Sequence, residues 1–97
     1  MVVIRILMQI QPQQREAFLK FMANSTTVST AFSGCLKYQL FQDVNTEDSY
    51  LLYEEWETRA QFDAYLASDH MVESRTALFP MMAGKPDSAY FDAQLTT

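Results

Sequence analysis

Residues 49–57 read SYLLYEEWE, and together with CLKYQLFQ at residues 35–42 and the link DVNTED at residues 43–48 they decide the fold. Both runs alternate and are rich in aromatic and aliphatic side chains, and Asp43, Asn45 and Asp48 are turn formers. This spacing predicts two antiparallel strands joined as a hairpin. In the second strand Tyr50, Leu52, Glu54 and Trp56 share one face while Leu51 and Tyr53 share the other. Neither face is consistently polar, so both need cover.

Upstream, VVIRILMQI at residues 2–10 sets Val2, Ile4, Ile6, Met8 and Ile10 on one side of a first strand. Pro12 suits the first position of a helix, because its φ is already helical and its missing amide would be unpaired there anyway. Phe18, Phe21, Met22, Ser25, Val28 and Phe32 then recur at helical steps over residues 13–32, and Gly34 follows where a left-handed residue ends the helix. The Thr26-Thr27 pair is expected to loosen its second half.

Downstream, Thr58 with Gln61 has the form of a capping box, followed by Phe62, Tyr65 and Leu66 at helical spacing. Ser68 and Asp69 offer a second N-cap for a helix carrying Met71, Arg75, Leu78, Phe79 and Met82 near one side, closed by Pro80 and Gly84. SAYFDAQL at residues 88–95 alternates as a last strand. The order βαββ(αα)β is the split βαβ arrangement of a ferredoxin-like α+β fold, with a four-stranded antiparallel sheet and its helices on one face. A second copy packed sheet to sheet is the simplest cover for the other face, so the expectation is a homodimer.

Length and composition bound the function. Residues 1–97 are expected to make one domain with a single core. Hydrophobic residues make up 48% and charged residues 20%, too apolar for a disordered chain. Seven Lys plus Arg stand against twelve Asp plus Glu, a net charge of −5 with no basic cluster, which excludes nucleic acid and anionic membrane as expected partners. No apolar run approaches a bilayer span, MVVIRILMQI lacks the features of a signal peptide, and a single cysteine forms no internal disulfide. A cytoplasmic protein is the expectation. One His and one Cys cannot build a closed zinc site, and no glycine-rich phosphate loop occurs, so neither metal nor organic cofactor is expected.

Few residues carry chemistry. Trp56, the only tryptophan, reads as a core residue or as a pocket wall whose indole N–H donates to a ligand. His70, the only histidine, lies in the first turn of a predicted helix, where a neutral imidazole serves as a base or as part of a cap. Glu54 falls on a mostly apolar face, so a structural pair with Arg5, Arg75 or Lys37 is expected. Arg75 lies on the apolar side of its helix and reads either as a solvated side chain or as one reaching an anionic ligand. Tyr38, Tyr53 and Tyr65 read first as packing residues, and Cys35 as a small hydrophobe.

Taken together, PQQREAFLKFM, SGCLKYQLFQD, YLLYEEWETRAQFDAYLASDHM and LFPMMAGKPD resemble the antibiotic biosynthesis monooxygenase family of dimeric ferredoxin-like proteins over essentially the whole chain. The strand YEEWE and the later LASDHM carry most of the likeness, with Glu54, Trp56 and His70 matching in type and spacing and Met71 replacing a frequent Phe or Tyr. Gly34-Cys35 with Tyr38 matches the glycine-cysteine start of a strand in many members.

The resemblance implies a pocket between sheet and helices in which a small electron-rich aromatic, a quinol, phenol or anthrone, meets O2 without metal or flavin. It also implies His70 as proton acceptor or anion-orienting residue, Trp56 as wall and donor and Glu54 as support, with Tyr53, Arg75 and Tyr38 on the substrate. Two neighbouring branches stay open. One isomerises a phosphorylated dione, for which Arg75 and Arg5 would hold the phosphate. Haem-degrading members carry an asparagine on the first strand, and VVIRILMQI has none. A dimer that binds a small metabolite without catalysis is the third alternative.

Overall fold

The computed structural model describes residues 1–97. The strands are β1 (Val2–Gln9), β2 (Cys35–Gln42), β3 (Ser49–Trp56) and β4 (Asp87–Asp92), and the helices are α1 (Arg15–Thr30), α2 (Arg59–Leu66) and α3 (Asp69–Leu78). Single turns of 3-10 helix at Pro12–Gln14 and Phe79–Met81 lead into α1 and out of α3. The sheet is antiparallel throughout, in the order β2-β3-β1-β4. This is the ferredoxin-like α+β arrangement, with the helices on one face.

Element ends follow partners more than patterns. β4 stops at Asp92 rather than running to residue 95, because Asp92 is paired with Val2, where β1 begins, and beyond it Ala93 meets only Met1, its amide on the Met1 carbonyl and its carbonyl on the N-terminal ammonium. α1 ends at Thr30, and Gly34 turns the chain into β2 at φ +88°, a conformation glycine adopts without the Cβ clash of other residues. The Thr26 and Thr27 hydroxyls bond back to the carbonyls of Met22 and Ala23, so α1 runs through both threonines unbroken. Pro80 closes α3 into its 3-10 turn.

The caps are as the sequence predicts. Thr58 accepts from the amide of Gln61 at 3.2 Å and Ser68 from the amide of Met71 at 3.3 Å. In the β2–β3 turn the Asp43 carboxylate takes the amides of Asn45 and Thr46, while Arg15 of α1 grips the buried Asp48 through Nε at 2.6 Å and Nη2 at 2.8 Å. That guanidinium holds the Asp48 carboxyl below the usual carboxylate range.

Ile4, Phe18, Met22, Trp56, Phe62 and Tyr65 are fully or almost fully buried between sheet and helices. Trp56 lies against Tyr65 and Phe62 with ring centroids 4.7 and 5.8 Å apart. The buried side of α1 changes character along its length, from Phe18 and Met22 to Ser25 and Ser29. The opposite sheet face has no helix over it and keeps Leu7, Phe41 and Phe91 at 40, 48 and 50% exposure. No helix is long and apolar enough to cross a membrane.

Candidate active site

Strand pairing builds the floor of a cavity of about 210 Å³ between the sheet and α3. Tyr38, Glu54, Ile4 and Tyr90 lie in one row across β2, β3, β1 and β4, and Leu40, Leu52, Ile6 and Ser88 make the next. Ser25 of α1 and Leu66, Met71, Ser74, Arg75 and Leu78 of α2 and α3 cover it. Met8 and Met82 join Met71 in the wall, where thioethers adapt to a flat ligand. The volume is below the ~300–1,000 Å³ of common ligand clefts, which limits an occupant to one or two small rings.

Glu54 is the chemical centre of this cavity. It is 3% exposed, its neighbours are largely apolar, and the indole Nε1 of Trp56 donates to its Oε1 at 2.9 Å. Burial pushes its carboxyl from 4.5 up to about 7, against the opposing pull of that indole hydrogen bond. The expected cation pair is absent. Arg5 is paired with Tyr53 across the strands and lies on the outer face, where it meets Asp87 at 3.6 Å; Lys37 also falls on the outer face by strand alternation. Arg75 lines the cavity but makes no ion pair with Glu54. A carboxyl that titrates near neutral pH inside an apolar cavity can take and return a proton.

The remaining predicted residues fall into three positions. Tyr38 and Arg75 line the cavity with Glu54. Trp56 and His70 stand behind its wall: Trp56 is wholly buried with its N–H committed to Glu54, and the His70 Nε2 lies 3.4 Å from both Ser25 Oγ and Ser29 Oγ. Tyr53 lies on the outer face, its hydroxyl donating to Glu55, and the structure does not bring it to the cavity.

Side chains outside the predicted set complete the site. Tyr65 is buried, its hydroxyl 2.7 Å from Ser29 Oγ and donating to Tyr38 at 3.5 Å. Burial raises the pKa of both tyrosines above the ordinary value, so they stay neutral hydrogen-bonding groups. Burial and the nearby Glu54 push the Cys35 thiol up to about 11, which leaves it a poor nucleophile. Ser25 in the apolar stripe of α1 was the available signal for this polar seam. Ser74 and Ser88 had none, since only the docking of α3 over β4 makes them lining residues.

Comparison with known proteins agrees with this architecture. The chain is 27% identical over 70 residues to YcnE of Bacillus subtilis (strain 168), whose name makes it a candidate monooxygenase, covering 72% of this chain and 74% of that one. It is 25% identical over 65 residues to the uncharacterized protein sll1783 of Synechocystis sp., covering 67% of this chain and 44% of the length of that relative. A crystal structure from Deinococcus radiodurans, described as a candidate antibiotic biosynthesis monooxygenase, superposes with a TM-score of 0.93 at 15% identity over 100% of this chain and 96% of that one, a likeness of fold. The profile of the family described as antibiotic biosynthesis monooxygenase matches residues 1–77, which is most of the sequence. The chain belongs to the antibiotic biosynthesis monooxygenase family.

Proposed function

We propose that this protein is a cofactor-independent monooxygenase that oxidises a small electron-rich phenol or quinol with O2 in the Glu54 cavity. The observation that carries the reading is a buried carboxyl with a near-neutral proton affinity facing a small apolar cavity. Glu54 as carboxylate takes the phenolic proton, and Tyr38 beside it donates a hydrogen bond to the phenolate. The phenolate transfers one electron to O2, and the resulting superoxide joins the ring carbon ortho or para to the oxygen, forming a C–O bond.

The peroxide anion takes the proton held by Glu54. Glu54 then removes the hydrogen on that ring carbon as the O–O bond breaks, and the departing hydroxide takes this second proton to become water. The balance is phenol plus O2 to quinone plus water, with Glu54 returned to the carboxylate. Dry walls protect the radical pair from solvent. Trp56 acts as a positioning residue, and His70 holds Ser25 and Ser29 from the half-buried side.

The same reading takes the chain to be a homodimer. Leu7, Phe41 and Phe91 expose apolar side chains on a sheet face that the protein's own helices leave bare, and in this reading a second copy's sheet covers it.

The test is oxygen uptake by purified, chelator-treated protein with quinols, anthrones and flavonoid-like phenols. Uptake above the spontaneous rate that drops about a hundred-fold or more in Glu54→Gln is expected for loss of a general base. Uptake equal to the spontaneous rate across the panel contradicts the proposal.

A further inference from the structure

The cavity has a second polar end, and nothing in the chemistry above uses it. Ser74 is 4% exposed as a residue and lines the cavity, so its hydroxyl is at hand for a ligand there. Arg75, its neighbour in α3, lines the same end and pairs with no carboxylate, although the chain carries an excess of them. Its Nη2 donates to the carbonyl of Leu66 at 3.2 Å, which fixes the guanidinium at the end of α2 and leaves its other N–H groups free. Ser88 of β4 lines the cavity beneath them.

We infer that this end recognises a carboxylate, and that the substrate is a hydroxyaryl carboxylic acid lying between two poles. Glu54, Tyr38 and Ser25 receive its phenolic hydroxyl; Arg75, Ser74 and Ser88 receive its carboxylate. The inference rests on the oxygenase reading for the first pole and adds the second. Strand geometry supports the span. Glu54 and Ser88 are separated by two strand spacings across β1 and two residues along it, roughly 12 Å between backbones. One aromatic ring with an oxygen group at either end and a hydrogen bond of ~2.8 Å beyond each fills that interval.

Charge sets the orientation. Glu54 repels an anion when ionised and has no cation beside it, whereas Arg75 supplies a fork matched to a planar carboxylate. The ligand's acid therefore sits under α3 and its hydroxyl over β3. A phosphate would meet the same donors, and the experiment separates the two anions.

The experiment titrates 4-hydroxybenzoate, its methyl ester and phenyl phosphate into 15N-labelled protein, in the wild type, Arg75→Gln and Ser74→Ala. The acid is expected to bind about ten-fold more tightly than the ester, with a preference that shrinks in salt. Arg75→Gln is expected to abolish that preference while leaving ester affinity unchanged, and Ser74→Ala to reduce it. Equal affinity for acid and ester, a preference that survives in Arg75→Gln, or tighter binding of phenyl phosphate overturns the carboxylate pole and leaves the oxygenase reading standing. If neither the acid nor the ester binds, the carboxylate pole falls, and oxygen uptake across the phenol panel separately decides the oxygenase reading.

Discussion

At Glu54 a single carboxyl links stability to function. Its proton affinity is raised in the folded protein, so the folded state holds a proton that the unfolded chain releases near pH 4.5. Stability therefore falls as pH rises from about 4.5 through about 7 and is lowest above that, the reverse of a salt-bridged carboxylate. The loss amounts to about 3 kcal/mol. Glu54→Gln should remove this dependence, which urea midpoints at pH 5 and pH 8 would show; a wild-type midpoint that does not fall between them contradicts the assignment. The Trp56 indole N–H stabilises the charged form, so Trp56→Phe should move the Glu54 titration above its wild-type value, read from the carboxyl carbon shift by NMR. A titration that stays in place or moves down would mean that this hydrogen bond does not form in solution.

Residue choice was legible only in part. Strand alternation alone puts Tyr38, Glu54 and Trp56 on the helix-covered side, and it puts Tyr53 on the other. Which of these face open space depends on how the rings pack, and Trp56 is covered by Tyr65 and Phe62 while Glu54 is not. His70 carried the strongest sequence signal for chemistry and stands one layer behind the cavity, because Ser25 intervenes.

Elements were more legible than their ends. The alternation of residues 35–42 and 49–57 around Asp43 and Asp48 is local information, and both strands form where it predicts. The length of β4 is non-local: Phe91 and Asp92 have partners in β1, Ala93 meets only Met1 before β1 begins, and Gln94 and Leu95 continue the alternation past the end of the ladder. Phe18 of α1 is fully buried against Tyr50 with centroids 4.8 Å apart. Phe18→Ala should cost ~3–5 kcal/mol, and a loss below 1 kcal/mol in urea unfolding would mean that α1 is anchored elsewhere. At the α1–β2 junction, a Cβ on Gly34 would strike the side chain of Gln61, and the φ of +88° would be strained as well. Gly34→Ala should therefore destabilise by ~1–2 kcal/mol or more, and a neutral substitution would contradict the turn geometry.

At the level of the whole molecule, the bare apolar sheet face calls for cover. Light scattering at micromolar protein should give twice 11.2 kDa, and Leu7→Lys, which places a charge in the apolar row of Phe41, Leu51 and Leu7 on that face, should give 11.2 kDa with the fold intact. A wild-type monomer would leave the face unexplained and contradict the dimer. The molecule's activity is tested most directly by following oxygen uptake with the best substrate of the phenol panel from pH 5 to pH 9, for the wild type and Glu54→Gln. The turnover number should rise through about pH 7 in the wild type, as the Glu54 carboxyl loses its proton, and stay low and flat in the variant. A variant that matches the wild type in rate and in profile would contradict Glu54 as the base.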